Sequence, residues 1–168
     1  MRVYLPGTVP ILRHLLAAGR LSPPLTGFAV TPTLREWYTS GDTEELEYAA
    51  LTDAARASLR LLDADPTAPR RRVVVSADLD DCDTRLLADL DRSAVRVLAP
   101  VSLPRIEAVH VDGEQAERDV RAAAASILEA ELGSGDAQFI VDGAEGHELA
   151  WYATQELGLL LELWPDGP

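Results

Sequence analysis

Arg72-Val73-Val74-Val75-Ser76-Ala77 carries three consecutive β-branched residues, the composition of a short strand covered on both faces. Helices must then lie on either side of it. Immediately upstream, Asp65-Pro66-Thr67-Ala68-Pro69 is a stiff loop, and before that Thr43 to about Asp63 forms the clearest helix of the chain. Two overlapping apolar stripes run along that helix, one of Leu46, Ala50, Ala54, Ala57 and Leu61, the other of Tyr48, Leu51, Ala55, Leu59 and Leu62. A face this wide implies burial between layers. Further toward the start, Arg2 to Leu5 reads as a strand. Thr8 to Ala18 reads as a helix with Val9, Leu12, Leu15 and Leu16 at helical spacing and Pro10 in its first turn, where a missing N–H costs little. Gly27 to Val30 is a second strand ended by Thr31-Pro32, followed by a helical turn from Leu34 to Tyr38.

Downstream, Thr84 to Leu90 is a short helix candidate, Val95 to Val101 and Ile106 to Val111 are strand candidates, and Glu114 to Leu132 is an amphipathic helix with Ala116, Val120, Ala123 and Ile127 inward. Asp136 to Trp164 is a tail of mostly helical pattern, interrupted at Gly143, Gly146 and Gly158. The order β-α-β-α, loop, β-α-β-β-α predicts an α/β fold, or α+β, as one domain over residues 1–168. It would have a single sheet of about four to five strands with packed helices and a helical C-terminal tail. Residues 1–63 and 71–132 look alike, Arg2-Val3-Tyr4-Leu5 corresponding to Arg72-Val73-Val74-Val75, which reads as a faint duplication followed by an acidic, apolar tail at 136–164.

Composition narrows the function. The chain has 168 residues, 28 Asp plus Glu, and 15 basic residues that are all Arg, for a net charge of −13. Neither Lys nor Asn occurs, a bias that GC-rich coding produces. A surface this negative repels phosphate, which argues against nucleic acid as a ligand. The charge is uneven: residues 1–112 hold 16 acids and 13 Arg, a net −3, and residues 113–168 hold 12 acids and 2 Arg, a net −10. A single cysteine, Cys82, excludes a disulfide framework and multi-cysteine metal clusters. Met1-Arg2-Val3-Tyr4-Leu5-Pro6 lacks the pattern of a signal peptide, and no apolar run is long enough to span a bilayer. The expectation is a cytoplasmic protein with no membrane contact.

Catalytic motifs are absent. Asp78-Leu79-Asp80-Asp81-Cys82-Asp83 is dense in carboxylates, yet it has Asp83 where a calcium loop needs Gly, Asp89 where it needs Glu, and Cys82 or Arg85 where an aspartyl phosphatase motif needs Thr or Val. His147-Glu148-Leu149-Ala150-Trp151 starts like a zinc-protease helix but has Trp151 at the second ligand position, and His14 and His110 are scattered elsewhere. No serine elbow or Gly-rich phosphate loop is present. No catalytic residue, metal ligand or cofactor is therefore assigned.

Two placements remain. In a largely parallel sheet the strand C-termini would gather Thr8, Thr31, Thr33, Ser76, Asp78 and Asp112 on one edge, the usual ligand position of open α/β sheets, with Glu36, Trp37 and Tyr38 approaching from the next turn. Helix capping is the competing account, because Thr33 with Glu36, Asp42 with Glu45 and Asp112 with Gln115 have capping-box spacing. The second placement is the tail, whose Leu149 to Trp164 is apolar nearly all round. Such a helix packs into its own core or presents Trp151, Leu159, Leu161 and Trp164 to a second subunit or another protein.

Met1-Arg2-Val3-Tyr4-Leu5-Pro6, Phe28-Ala29-Val30-Thr31-Pro32, Leu34-Arg35-Glu36-Trp37-Tyr38, Glu44-Glu45-Leu46-Glu47-Tyr48-Ala49-Ala50-Leu51 and His147-Glu148-Leu149-Ala150-Trp151-Tyr152-Ala153-Thr154-Gln155-Glu156 resemble an uncharacterised family of small acidic proteins from GC-rich bacteria. The resemblance covers most of the chain. It implies a bacterial, cytoplasmic, single-domain protein and supplies no activity, cofactor or catalytic residue.

The leading expectation is a non-catalytic interaction or regulatory module that uses its acidic, Leu-rich C-terminal third, as a homodimer or with a basic or apolar protein partner. The alternative is a small-molecule binder or hydrolase-like enzyme at the strand-end edge, with Asp78 or Asp112 as working carboxylates. A third is an acidic mimic of nucleic acid.

Overall fold

The computed structural model describes residues 1–38 and 40–164. Nine strands and six helices follow one another in mixed order: β1 (Arg2–Gly7), α1 (Val9–Ala18), β2 (Arg20–Leu21), β3 (Leu25–Ala29), α2 (Pro32–Trp37), α3 (Thr43–Ala64), β4 (Val73–Asp78), β5 (Thr84–Leu86), β6 (Ala94–Val97), β7 (Val101–Ser102), β8 (Ile106–Val111), α4 (Glu117–Glu131), α5 (Gly135–Glu145), β9 (Ala150–Ala153) and α6 (Leu157–Leu163). Seven strands form one sheet in the order β5-β6-β3-β1-β4-β8-β9, and β2 pairs with β7 apart from it. Every neighbouring pair is antiparallel.

The fold is thus mixed α/β, with more strands than the four to five expected and without the parallel sheet on which the strand-end site depended. The extra strands are short. Thr84–Leu86 pairs with β6 instead of starting a helix. Ala150–Ala153 pairs with β8 instead of continuing a helical tail, consistent with the β preference of its two adjacent aromatic residues.

Alternation along the strands builds two cores. Val3 and Leu5 of β1 and Val73, Val75 and Ala77 of β4 face one side, where Leu12 and Leu15 of α1, Leu157, Leu160 and Leu161 of α6, and Trp164 cover them. Tyr4, Phe28, Val74 and Ala94 face the other side, against Ala50, Ala54, Ala55 and Ala57 of α3. Four alanines let α3 lie close to the sheet. Farther along, Leu59 and Leu62 of α3 pack with Val120, Ala123 and Ile127 of α4 and Val141 of α5.

Local chemistry locks these elements. Thr8 caps α1 by accepting from the Ile11 N–H at 3.4 Å, Pro10 sits in the first turn, and Gly19 ends the helix at φ 76°. Asp42 caps α3 through the Glu45 N–H at 2.9 Å. The buried Ser58 hydroxyl donates to the Gly7 carbonyl at 2.7 Å and accepts from the Val73 N–H at 3.1 Å, so one side chain ties α3 to two strands.

Candidate functional site

Helical spacing puts Glu44, Glu47, Tyr48, Leu51, Thr52 and Ala55 along one side of α3. Strand alternation puts Arg2 and Tyr4 of β1, Ser76 of β4, Ala108 and His110 of β8 and Trp151 of β9 on the sheet face that α3 covers only in part. Between them lie two adjoining cavities that share Tyr48 and Leu51. One, of about 220 Å³, is bounded by Arg2, Tyr4, Glu44, Glu47, Ser76 and Trp151 among others. The other, of about 280 Å³, continues between α3 and the segment from Glu145 to Leu149. Together they form a groove walled by two well-exposed aromatic rings, Tyr48 at 58% and Trp151 at 60%.

The groove floor is polar and internally satisfied. Ser76 Oγ and His110 Nε2 share a hydrogen bond of 2.8 Å. Burial, and then the Arg2 guanidinium, hold His110 below its ordinary range, so its ring is neutral at pH 7. Arg2 grips Asp78 through Nε at 2.7 Å and Nη2 at 3.3 Å, and that bond keeps the carboxyl below the usual carboxylate range. Tyr4 is pushed up by burial and by the nearby Glu47 charge.

At the far end the wall is held by a buried ion pair. Arg72 and Asp112 are 2% and 0% exposed in their side chains. Asp112 accepts from the Arg72 backbone N–H, Nε and Nη2, each at 2.8 Å. Arg72 Nη2 also donates to the His147 carbonyl at 2.9 Å, fastening the segment that carries Glu148 and Leu149 to the end of β4. His147 itself lies 2.7 Å from Asp119.

The residues expected at one strand-end edge are divided by the antiparallel order. Gly7 of β1 and Val111 of β8 both lie beside Val73 of β4, so Thr8 and Asp112 sit at one end of the strands. Asp78 lies beside Arg2 and Thr31 follows Ala29, the partner of Val3, so Asp78, Thr31 and Thr33 sit at the other. Ser76 alone lines the groove, and Asp78 touches it only through Arg2. Thr31, not Thr33, caps α2 through the Leu34 N–H at 3.1 Å and also donates to the Arg92 carbonyl. Asp112 is committed to Arg72 and does not cap; the chain enters α4 through a tight turn at Glu114–Ala116. Trp37 stacks under Arg92, 3.5 Å from its ring centroid, outside the groove.

Three of the four carboxylates of the acidic run are in ion pairs, Asp78 with Arg2, Asp80 with Arg105 and Asp81 with the Met1 amino group, and Cys82 is exposed beside them. Of the four tail residues expected to meet a partner, Leu161 and Trp164 are buried in the chain's own core. Trp151 and Leu159 are on the surface, Trp151 in the groove and Leu159 on the outer side of α6. Tyr48 belongs to an apolar stripe whose spacing predicts burial, yet it is exposed. Its carboxylate neighbours Glu44 and Glu47, on the same side of the helix, were the signal that this stripe opens to solvent at its start.

The fold defines a single mixed α/β domain built on an antiparallel seven-stranded sheet. Among the described residues no helix is long and apolar enough to cross a membrane. The chain belongs to a family of unknown function, DUF6912, whose model matches residues 1–161, in line with the resemblance seen in the sequence. No curated protein and no solved structure matches it.

Proposed function

We propose that the protein is a non-catalytic interaction module that receives a basic side chain of a protein partner, arginine or lysine, in the groove between α3 and the β1-β4-β8-β9 face. The observation that carries this reading is the groove's charge state. Its cations are spent, Arg2 on Asp78 and Arg72 on Asp112, whereas Glu44, Glu47 and Glu148 have no ion pair among the described residues. A neutral His110 adds no positive charge to offset them. Tyr48 and Trp151 add aromatic faces, and a cation over such a ring gains about 0.5–1 kcal/mol when exposed and roughly 2 when desolvated.

Each of the two adjoining cavities, of about 280 and 220 Å³, is below the roughly 300–1,000 Å³ of pockets that enclose drug-sized molecules, so either one by itself suits a side chain. The Ser76–His110 pair favours binding over acyl transfer. Ser76 lies inside β4, which is paired on both sides, and not at a helix N-terminus or loop that would present free N–H groups to an oxyanion.

Titration with an Arg-containing peptide and with the same peptide carrying Glu in place of Arg, followed by NMR, tests this. The basic peptide is expected to shift the Trp151 indole and the Tyr48 ring saturably. Glu44→Gln combined with Glu47→Gln should weaken binding at least about tenfold, or ~1.4 kcal/mol. Glu129→Gln, on the exposed face of α4, should leave it unchanged. Equal weakening by Glu129→Gln would reduce the effect to general acidity and remove the groove from the account.

A further inference from the structure

Several arginines have no ion pair among the described residues, and two of these, Arg85 and Arg96, stand opposite one another across a ladder. The β5–β6 register sets Arg85 directly across from Arg96, and the β3–β6 register sets Thr26 across from Arg96 on its other side. Val95 and Val97 of β6 belong to the core under α1 and α6, so alternation places Arg85, Arg96 and Thr26 in a row on the opposite face.

Among the described residues no ion pair or side-chain hydrogen bond engages this row. Arg2, Arg56, Arg60, Arg71, Arg72 and Arg105 each have an acidic partner, but Arg85 and Arg96 have none, and the Thr26 hydroxyl makes no hydrogen bond among the described residues. Arg96 Nε is the one buried side-chain polar atom left without a hydrogen-bond partner among the described residues. Like charges directly across a ladder destabilise it, and a buried unpaired donor costs more than an exposed one. An anion held by both guanidinium groups would offset the first of these costs.

We infer that Arg85, Arg96 and Thr26 form a binding site for a carboxylate. The two terminal nitrogens of a guanidinium present a fork that matches the two oxygens of a carboxylate, and the second guanidinium and the hydroxyl supply further donors. The protein's net charge of −13 repels a ligand in proportion to the ligand's own charge, which favours a singly charged carboxylate over a phosphate dianion. The row lies on β5, β6 and β3, next to β1 in the sheet, shares no residue with the groove lining, and does not depend on what the groove binds.

Arginine Nε–H signals in ¹H–¹⁵N spectra read the site directly. Sodium acetate titrated at constant ionic strength against sodium chloride is expected to move the Arg96 Nε–H signal saturably. Arg85→Gln, a change at an exposed position, should weaken acetate binding at least fivefold. Arg96→Gln should abolish the response of the Arg85 Nε–H signal. A shift that fails to saturate, that chloride reproduces, or that survives Arg85→Gln at full affinity would overturn the site. Inorganic phosphate binding more tightly than acetate at pH 7 would overturn the assignment to a carboxylate.

Discussion

Thr31 and Thr33 show how little separates a correct cap from a neighbouring one. Both precede a helical pattern, but only Thr31 has extended backbone and a hydroxyl in reach of the Leu34 N–H, and Thr33 lies inside α2. Thr31→Ala should cost about 0.5–2 kcal/mol in urea unfolding, while Thr33→Ala should stay within about 0.5 kcal/mol. Asp112 is a larger case. Removing its charge with Asp112→Ala strands a buried Arg72, and the expected loss is roughly 3–5 kcal/mol by the same measurement. His110 contributes a pH dependence. Its folded pKa lies below the unfolded value of about 6.5, so the unfolded chain takes up a proton first as pH falls and stability declines below that point. Comparing unfolding at pH 7.5 and 5.5 in wild type and His110→Gln checks this, with the variant expected to lose the wild-type drop between the two. The groups facing the ring, Arg2 and Ser76, stay unchanged over that interval, and Asp78, held low by Arg2, titrates well below it.

At the scale of elements, what the sequence disclosed depended on length and on whether an element's shape is local. α1, α3 and α4 were legible because ten or more residues repeat an apolar face, and β1, β4 and β8 because β-branched or apolar runs stand between breakers. β2, β5, β7 and β9 have two to four residues each, too few for a period, and exist because a partner strand completes them. Strand direction was illegible for a related reason: alternation of strands and helices says nothing of which strands pair. The groove suffered twice, because Trp151 reads as helical until β8 pairs with it, and Tyr48 reads as core until its neighbours are placed. α6 separates the two uses of an apolar tail. Leu160 is buried beneath it and Leu159 is 69% exposed, so Leu160→Ala should lower stability by about 2–5 kcal/mol and Leu159→Ala by less than about 0.5 kcal/mol in thermal or urea unfolding.

For the whole molecule, the uneven charge and the groove act together. Residues 113–168 carry a net −10, and Glu145 and Glu148 from that segment stand at one end of the groove, so a basic partner would be drawn to the same region in which its side chain is received. Association with the basic peptide should slow markedly between about 50 and 200 mM salt, while dissociation changes less, as stopped-flow mixing would show. The alanines that seat α3 on the sheet bear on the shape of the proposed groove. Ala50, Ala54 and Ala57 touch the sheet side of the helix and do not line the cavities, yet their size sets how far α3 stands off the strands. They act as shims: a family member with Ser or Val at one of them would have a wider or tilted groove with every lining residue intact. Under the proposed reading, selectivity would then drift between relatives whose groove residues are identical.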